Sequence, residues 1–256
     1  MLSAVADTYQ RRDNKSSQSY FPPREIQKSD LSSLVIDGGR DSVDSRQLAL
    51  LGSKNDEGVI IYSCGDLALL NKRVVAIVGS RAGSEKGLKR AERLARELVE
   101  NGVVISSGLA KGIDTSALSS AIKSDGKVIA VIGTPLDKAY PAANKRLQEQ
   151  IYTDHLLLTP FQSGQRVYPS NFPQRNRVMA LLSDATVIVE ASDTSGTLHQ
   201  AAECQRQGRW LFILKSLVEN PEVSWPKNFL DHPKTAIVES TKDILSRIND
   251  AGTFNM

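Results

Sequence analysis

Apolar and polar positions change period along this chain, and those changes mark out its elements. Val74-Val75-Ala76-Ile77-Val78 is an unbroken apolar run, the sign of a strand buried on both faces. Downstream, Leu88, Ala91, Leu94, Ala95 and Leu98 recur at helical spacing, with Ser84 placed to cap that helix and Asn101-Gly102 to stop it. The alternation then repeats. Strands are predicted over residues 103–105, 128–132, 156–158, 186–189 and 210–214, and helices over 113–123, 145–151, 176–182 and 197–207. Strand, helix, strand, helix with buried strands means a parallel sheet covered on both faces. The expected fold is α/β, doubly wound and Rossmann-like, because consecutive parallel strands need right-handed crossovers.

The flanks read differently. Residues 1–33 are polar (Arg11-Arg12-Asp13-Asn14-Lys15 among them) and cannot offset their ordering entropy by burial, so a loose arm is expected. Residues 34–72 form a lead-in with a short strand at Val59-Ile60-Ile61-Tyr62, residues 73–215 the core, and residues 216–256 an extension packing back on it. That extension carries a predicted strand over 235–238 and a helix over 241–248.

Composition narrows the picture. At 256 residues, 40% hydrophobic and 24% charged, the chain has enough apolar material for a sizeable core. Net charge is only +3, but nine Lys/Arg stand against four Glu between Lys72 and Lys111. Three Arg and no acid lie between Arg166 and Arg177. Within the helix a solvated face is the better reading, but Arg81, Lys111, Arg175 and Arg177 sit beside turns and point toward an anionic partner. Cys64 and Cys204 lack metal-type spacing, which fits a reducing compartment. With no signal pattern and no apolar run near ~18 residues, a cytoplasmic protein away from membranes is expected.

In doubly wound sheets ligands bind beyond the carboxyl ends of the strands, and here the glycine-rich turns all follow strands. The first is Gly79-Ser80-Arg81-Ala82-Gly83-Ser84, where a helix start and a planar cation make an anion site. It is not the dinucleotide fingerprint, and no acid follows at the ribose distance. The second, Ser106-Ser107-Gly108-Leu109-Ala110-Lys111-Gly112-Ile113-Asp114, repeats the arrangement, with Asp114 bracing the helix start. In the third, Asn171-Phe172-Pro173-Gln174-Arg175-Asn176-Arg177, two Arg flank an Asn; Arg pairs phosphate and Asn bonds phosphate or a base edge. In the fourth, Ser195, Gly196 and Thr197 head a helix able to hold an anion. The turns after the first, second and fifth core strands should converge. Many donors and few acids make a phosphate-backbone surface rather than a reaction centre.

The same residues carry a family resemblance. Val75 to Arg81, Ser107 to Asp114, Phe172 to Arg177, Glu190-Ala191 with Ser195-Gly196, Gly65-Asp66-Leu67, and Tyr140-Pro141 with Asn144 resemble the ordered motifs of the DNA-processing protein A (DprA/Smf) family. The resemblance implies a single-stranded DNA binder that protects strands, helps load a RecA-type recombinase and works as a homodimer. It implies DNA contacts at Gly79, Ser80, Arg81, Ser107, Gly108, Lys111, Arg175, Asn176 and Arg177, with no cofactor and no metal. Ala117-Leu118, Leu158-Thr159-Pro160 and Lys215-Ser216 depart from the family pattern. Neither the family's helical N-terminal domain nor its C-terminal winged helix is evident, as expected of a divergent or minimal member.

Two other readings stand beside this one. Ser195-Gly196-Thr197-Leu198-His199-Gln200 resembles a loop of LOG-type nucleoside-monophosphate phosphoribohydrolases, but Gln200 stands where that chemistry wants a carboxylate, and Glu203 is one turn away. A nucleotide-sensing domain would use the same donors for a single phosphorylated ligand. His155, His199 and His232 are scattered, and His199 with Cys204 lacks a third ligand, which disfavours zinc.

Overall fold

The apolar runs become a nine-stranded sheet in the computed structural model, which describes residues 19–40 and 58–250. Seven parallel strands make its body: β3 (Val74–Gly79), β4 (Val104–Ser107), β5 (Val128–Val131), β6 (Leu156–Thr159), β7 (Ala185–Glu190), β8 (Trp210–Leu214) and β9 (Thr235–Val238). Ahead of them, β1 (Gln27–Asp30) pairs antiparallel with β2 (Ile60–Gly65), which pairs antiparallel with β6. The order is β1-β2-β6-β5-β4-β3-β7-β8-β9. The chain therefore winds outward from β3 to β6, then crosses back to β7 on the other side of β3.

Side chains alternate across this sheet as a strand's period of two requires. Val74, Ala76 and Val78 enter one buried cluster, with Val178 and Met179 of α5 (Asn171–Leu181) and Ala201 and Cys204 of α6 (Thr197–Arg206). Leu31 and Val35 of α1 (Leu31–Asp37) and Trp225 close that face. Val75 and Ile77 enter the other cluster, against α2 (Glu85–Val99), α3 (Ile113–Lys123), Ile151 of α4 (Lys145–Asp154) and Ile244 of α7 (Thr241–Asp250). The doubly wound α/β expectation is what the structure shows.

The arm prediction needs correcting over its last part. Residues 27–33, assigned to it by their polarity, form β1 and open α1, where Leu31 is fully buried and Asp30 accepts hydrogen bonds from Ser32 N and Ser33 N. Further upstream, Tyr20 donates its hydroxyl to Leu136 O at 2.8 Å. Residues 1–18 of the arm, 41–57 of the lead-in and 251–256 of the extension lie outside the described residues. The extension does pack on the core, with β9 on β8 and Ile244 and Ile248 buried. Among the described residues no helix is long and apolar enough to cross a membrane.

Candidate nucleic-acid interface

The sheet order brings the predicted turns together. β3 lies between β4 and β7, and strand order reverses between β3 and β7. A crevice of about 440 Å³ opens there, at the carboxyl ends of the strands. Gly79, Ser80 and Arg81 line it from one side, Ser195, Gly196 and Thr197 from another, and Arg175 and Asn176 from α5. Ser107, Gly108, Lys111 and Arg177 are not among its lining residues.

In the first turn Arg81 is exposed, with its guanidinium 5.4 Å from the centre of the Phe172 ring. That stacking holds a cation at the mouth, with no ion pair to a carboxylate among the described residues. The start of α2, however, is not open to an outside anion. Ser84 Oγ accepts from Gly87 N at 3.0 Å. Glu190 accepts from Ser84 N at 2.8 Å and from Ser84 Oγ at 2.5 Å. The protein's own carboxylate thus takes the place the helix dipole would offer a phosphate. Gly79 is small for packing, since a β-carbon there would sit 2.7 Å from Ile113 Cγ1 and 2.9 Å from Glu190 O.

The second turn is a brace rather than a contact surface. Ser107 is fully buried and donates its hydroxyl to Ile77 O at 2.7 Å. Gly108 N and Ala110 N both donate to Asp114 Oδ2, at 3.1 and 3.3 Å, so the predicted bracing role of Asp114 is met. Leu109 adopts φ 56°, and Asn144 Nδ2 donates to its carbonyl at 2.9 Å and to Thr115 Oγ1 at 2.8 Å. Lys111 is exposed on this turn.

In the third segment α5 begins at Asn171, earlier than residue 176, with Pro173 in the first turn where its missing N–H is harmless. Arg175-Asn176-Arg177 are therefore helical. Arg175 is 6% exposed and donates Nη1 to Val131 O at 2.8 Å. Burial pulls its pKa down to about 10, with neighbouring Asp114 resisting and Arg81 assisting. It stays charged at neutral pH. Burial also pushes the Asp114 carboxyl above its usual range, which Arg175 opposes. Arg177 Nε meets Glu203 Oε1 at 3.1 Å, and Arg206 pairs with the same oxygen. Ser107 Oγ, Gly108 N and Arg175 Nη1 each donate inside the protein, while Arg175 still lines the crevice. Arg177 is tied to a carboxylate.

The fourth turn is pinned from outside. Asp193 accepts from Ser224 N at 2.9 Å and Trp225 N at 2.8 Å, and Trp225 Nε1 donates to Ala191 O at 3.0 Å. These backbone donors hold the Asp193 carboxyl below its usual range. Beyond it α6 starts at Thr197, whose N donates to Ser195 Oγ at 3.2 Å, while Leu198 N and His199 N donate to Ser195 O and Gly196 O. Gln200 lines the crevice, 1% exposed, with Nε2 donating to Thr186 Oγ1 at 3.1 Å. Phe172, Met179 and Ser192 also line it. His199 lines it as well, and Phe172 stands out in the sequence as the aromatic ahead of Pro173 and the Arg-Asn-Arg run. A separate hollow of about 310 Å³ mixes Arg90, Arg93 and Lys215 with Glu97, Glu219 and Glu239, so it presents no one-signed field to a polyanion. Among the described residues no group of three His, Cys, Asp or Glu could hold a metal ion.

A Rossmann-like α/β protein with a cation-mouthed crevice at its switch point is the class this geometry defines. The profile of the family described as DNA recombination-mediator protein A matches residues 41–249, and the chain belongs to that family. It is 45% identical over 159 residues to the DNA processing protein DprA of Streptococcus pneumoniae, covering 62% of this chain and 56% of that one. The X-ray structure of DprA from S. pneumoniae superposes with a TM-score of 0.70 at 34% identity, over 87% of this chain and 74% of that one. A structure of DNA processing protein A from Helicobacter pylori, described for its single-stranded DNA binding mode, shares the fold at 24% identity and a TM-score of 0.68, over 88% and 97% of the two chains. The chain spans about half the length of the first two curated relatives it matches.

Proposed function

We propose that this protein binds single-stranded DNA in the crevice at the carboxyl edge of β3 and β7, as a cytoplasmic homodimer of the DprA/Smf type. It shields single strands and assists loading of a RecA-type recombinase during DNA uptake or recombination. The observation carrying the reading is the make-up of the crevice. An exposed Arg81 stands at the mouth, Arg175 and Asn176 line the wall, and the one carboxylate lining it, Asp114, accepts from two backbone N–H groups. Such a site attracts phosphate, and its one lining carboxylate is already engaged. The hydrolase alternative is further weakened because Gln200 lines the crevice, whereas Glu203 is ion-paired and outside the lining.

The test is fluorescence anisotropy of a labelled single-stranded oligonucleotide at two salt concentrations, with duplex and a mononucleotide as competitors. Salt-weakened binding that neither competitor displaces well is expected. Arg81→Ala should lower affinity and flatten the log–log salt slope by about 0.7, the value for one single-strand phosphate contact. An unchanged slope would remove Arg81 from the site. Displacement by the mononucleotide alone would make the crevice a nucleotide sensor.

A further inference from the structure

The segment between β6 and α5 leaves the carboxyl end of β6, on the crevice's edge of the sheet, leads into Phe172 of the crevice lining, and carries a large exposed ring. Tyr168 is 52% exposed, one of five large apolar or aromatic side chains so placed among the described residues. The Arg166 guanidinium lies 5.7 Å from the centre of that ring, and Arg166 makes no ion pair among the described residues. No acid occurs between Arg166 and Arg177.

The segment is held at both ends. Gly164 N donates to Asp137 Oδ2 at 2.9 Å and Lys138 Nζ donates to Gln165 O at 2.8 Å, fixing the turn that begins it. At the other end Tyr168 O accepts from Asn171 N at 3.0 Å, which ties the ring's backbone to the first residue of α5. The next residue of α5 is Phe172, whose ring lies beneath Arg81 at the crevice mouth. A ring on a tethered backbone, backed on one side by a guanidinium, is suited to stack an unpaired base, because every base offers a π-face. A tyrosine this exposed gains little from burial, so packing alone does not account for it.

We infer that Tyr168, with Arg166, is a base-stacking platform for the strand where it leaves the crevice, an inference that rests on single-stranded DNA occupying that crevice. A phosphate is taken at Arg81, and an adjoining base lies on the Tyr168 ring.

Anisotropy on the intact protein, with a labelled oligothymidine and a base-free deoxyribose-phosphate strand of equal length, separates the two parts. Tyr168→Ala should weaken oligothymidine binding about tenfold, within the range for one base–aromatic stack, with the salt slope unchanged. Tyr168→Phe should restore it, and the base-free strand should bind Tyr168→Ala and unmodified protein equally. Arg81→Ala should weaken both strands and flatten the slope. If Tyr168→Ala binds oligothymidine normally, or loses both strands alike, the platform is wrong while the Arg81 effect keeps the crevice standing. If the unmodified protein binds neither strand, or Arg81→Ala changes nothing, the crevice reading falls and takes the platform with it.

Discussion

Replacing Gly108 by Ala should destabilise this protein far more than an ordinary glycine-to-alanine change. A β-carbon at position 108 would overlap the Arg175 guanidinium at Nη1, Cζ and Nη2. That group cannot give way cheaply, because Arg175 is 6% exposed and donates to Val131 O at 2.8 Å, with the Asp114 carboxylate, itself 5% exposed, as its charge partner. Expelling Arg175 leaves a buried carboxylate without its cation, about 3–5 kcal/mol, and a buried carbonyl without its donor, about 1–3 kcal/mol. The two overlap in one network, so about 4 kcal/mol is the working figure, against a total of about 5–15 kcal/mol. The assay is urea unfolding followed by circular dichroism, where the midpoint should fall at unchanged m-value. The melting temperature should fall by about 8–16 °C for a domain of this size. Gly196→Ala is the comparison: no atom lies within 4 Å of its β-carbon position, and a cost under about 1 kcal/mol is expected. Should Gly108→Ala match Gly196→Ala in stability, Arg175 has room to move and its burial is not what position 108 protects.

Two further outcomes follow from groups already described. Glu190→Ala should cost about 1–2 kcal/mol in urea unfolding, because it strips Ser84 N and Ser84 Oγ of their acceptor at the start of α2, and Glu190→Gln should recover part of that. A full loss with Gln would show that charge at the helix start matters more than the hydrogen bonds. Cys204, fully buried with its thiol pushed up to about 12 by burial, should resist a thiol reagent at pH 8 until the chain unfolds, while half-exposed Cys64 reacts first. Its folded pKa lies above the unfolded one, so its contribution to stability is intact below about 8.5 and declines as pH rises toward the folded value. Equal labelling rates for the two thiols in folded protein would contradict the burial.

What the sequence revealed was whatever local signals encode. The strand and helix alternation, the Ser84 cap and the Asp114 brace each sit within a few residues of their partners, and each is met in the structure. β1 escaped notice because Gln27-Lys28-Ser29-Asp30 is an edge strand joined by backbone hydrogen bonds, so no apolar pattern marks it. Arg175 read as a surface cation because its partners, Gly108, Asp114 and Val131, come from the turn after β4, from α3 and from β5, and meet it only once the sheet is assembled. Glu190 became a helix cap only because β7 lies beside β3, a neighbour relation the chain order conceals. Chain-distant charges are therefore the places where motif matching alone mistakes a strut for a contact.

The pinning of the fourth turn gives the molecule an optical handle. Trp225 is one of only two tryptophans, and its indole N–H holds Ala191 O within the loop that carries Ser192 and Ser195 to the crevice. It is 2% exposed and meets Phe229 edge-on, whereas Trp210 lies stacked on Phe212 on the other face of the sheet. Any occupant that shifts residues 191–196 must disturb the indole's hydrogen bond. Occupancy of the crevice can therefore be followed by the colour and intensity of Trp225 emission, with Trp210→Phe removing the background and no label on protein or ligand.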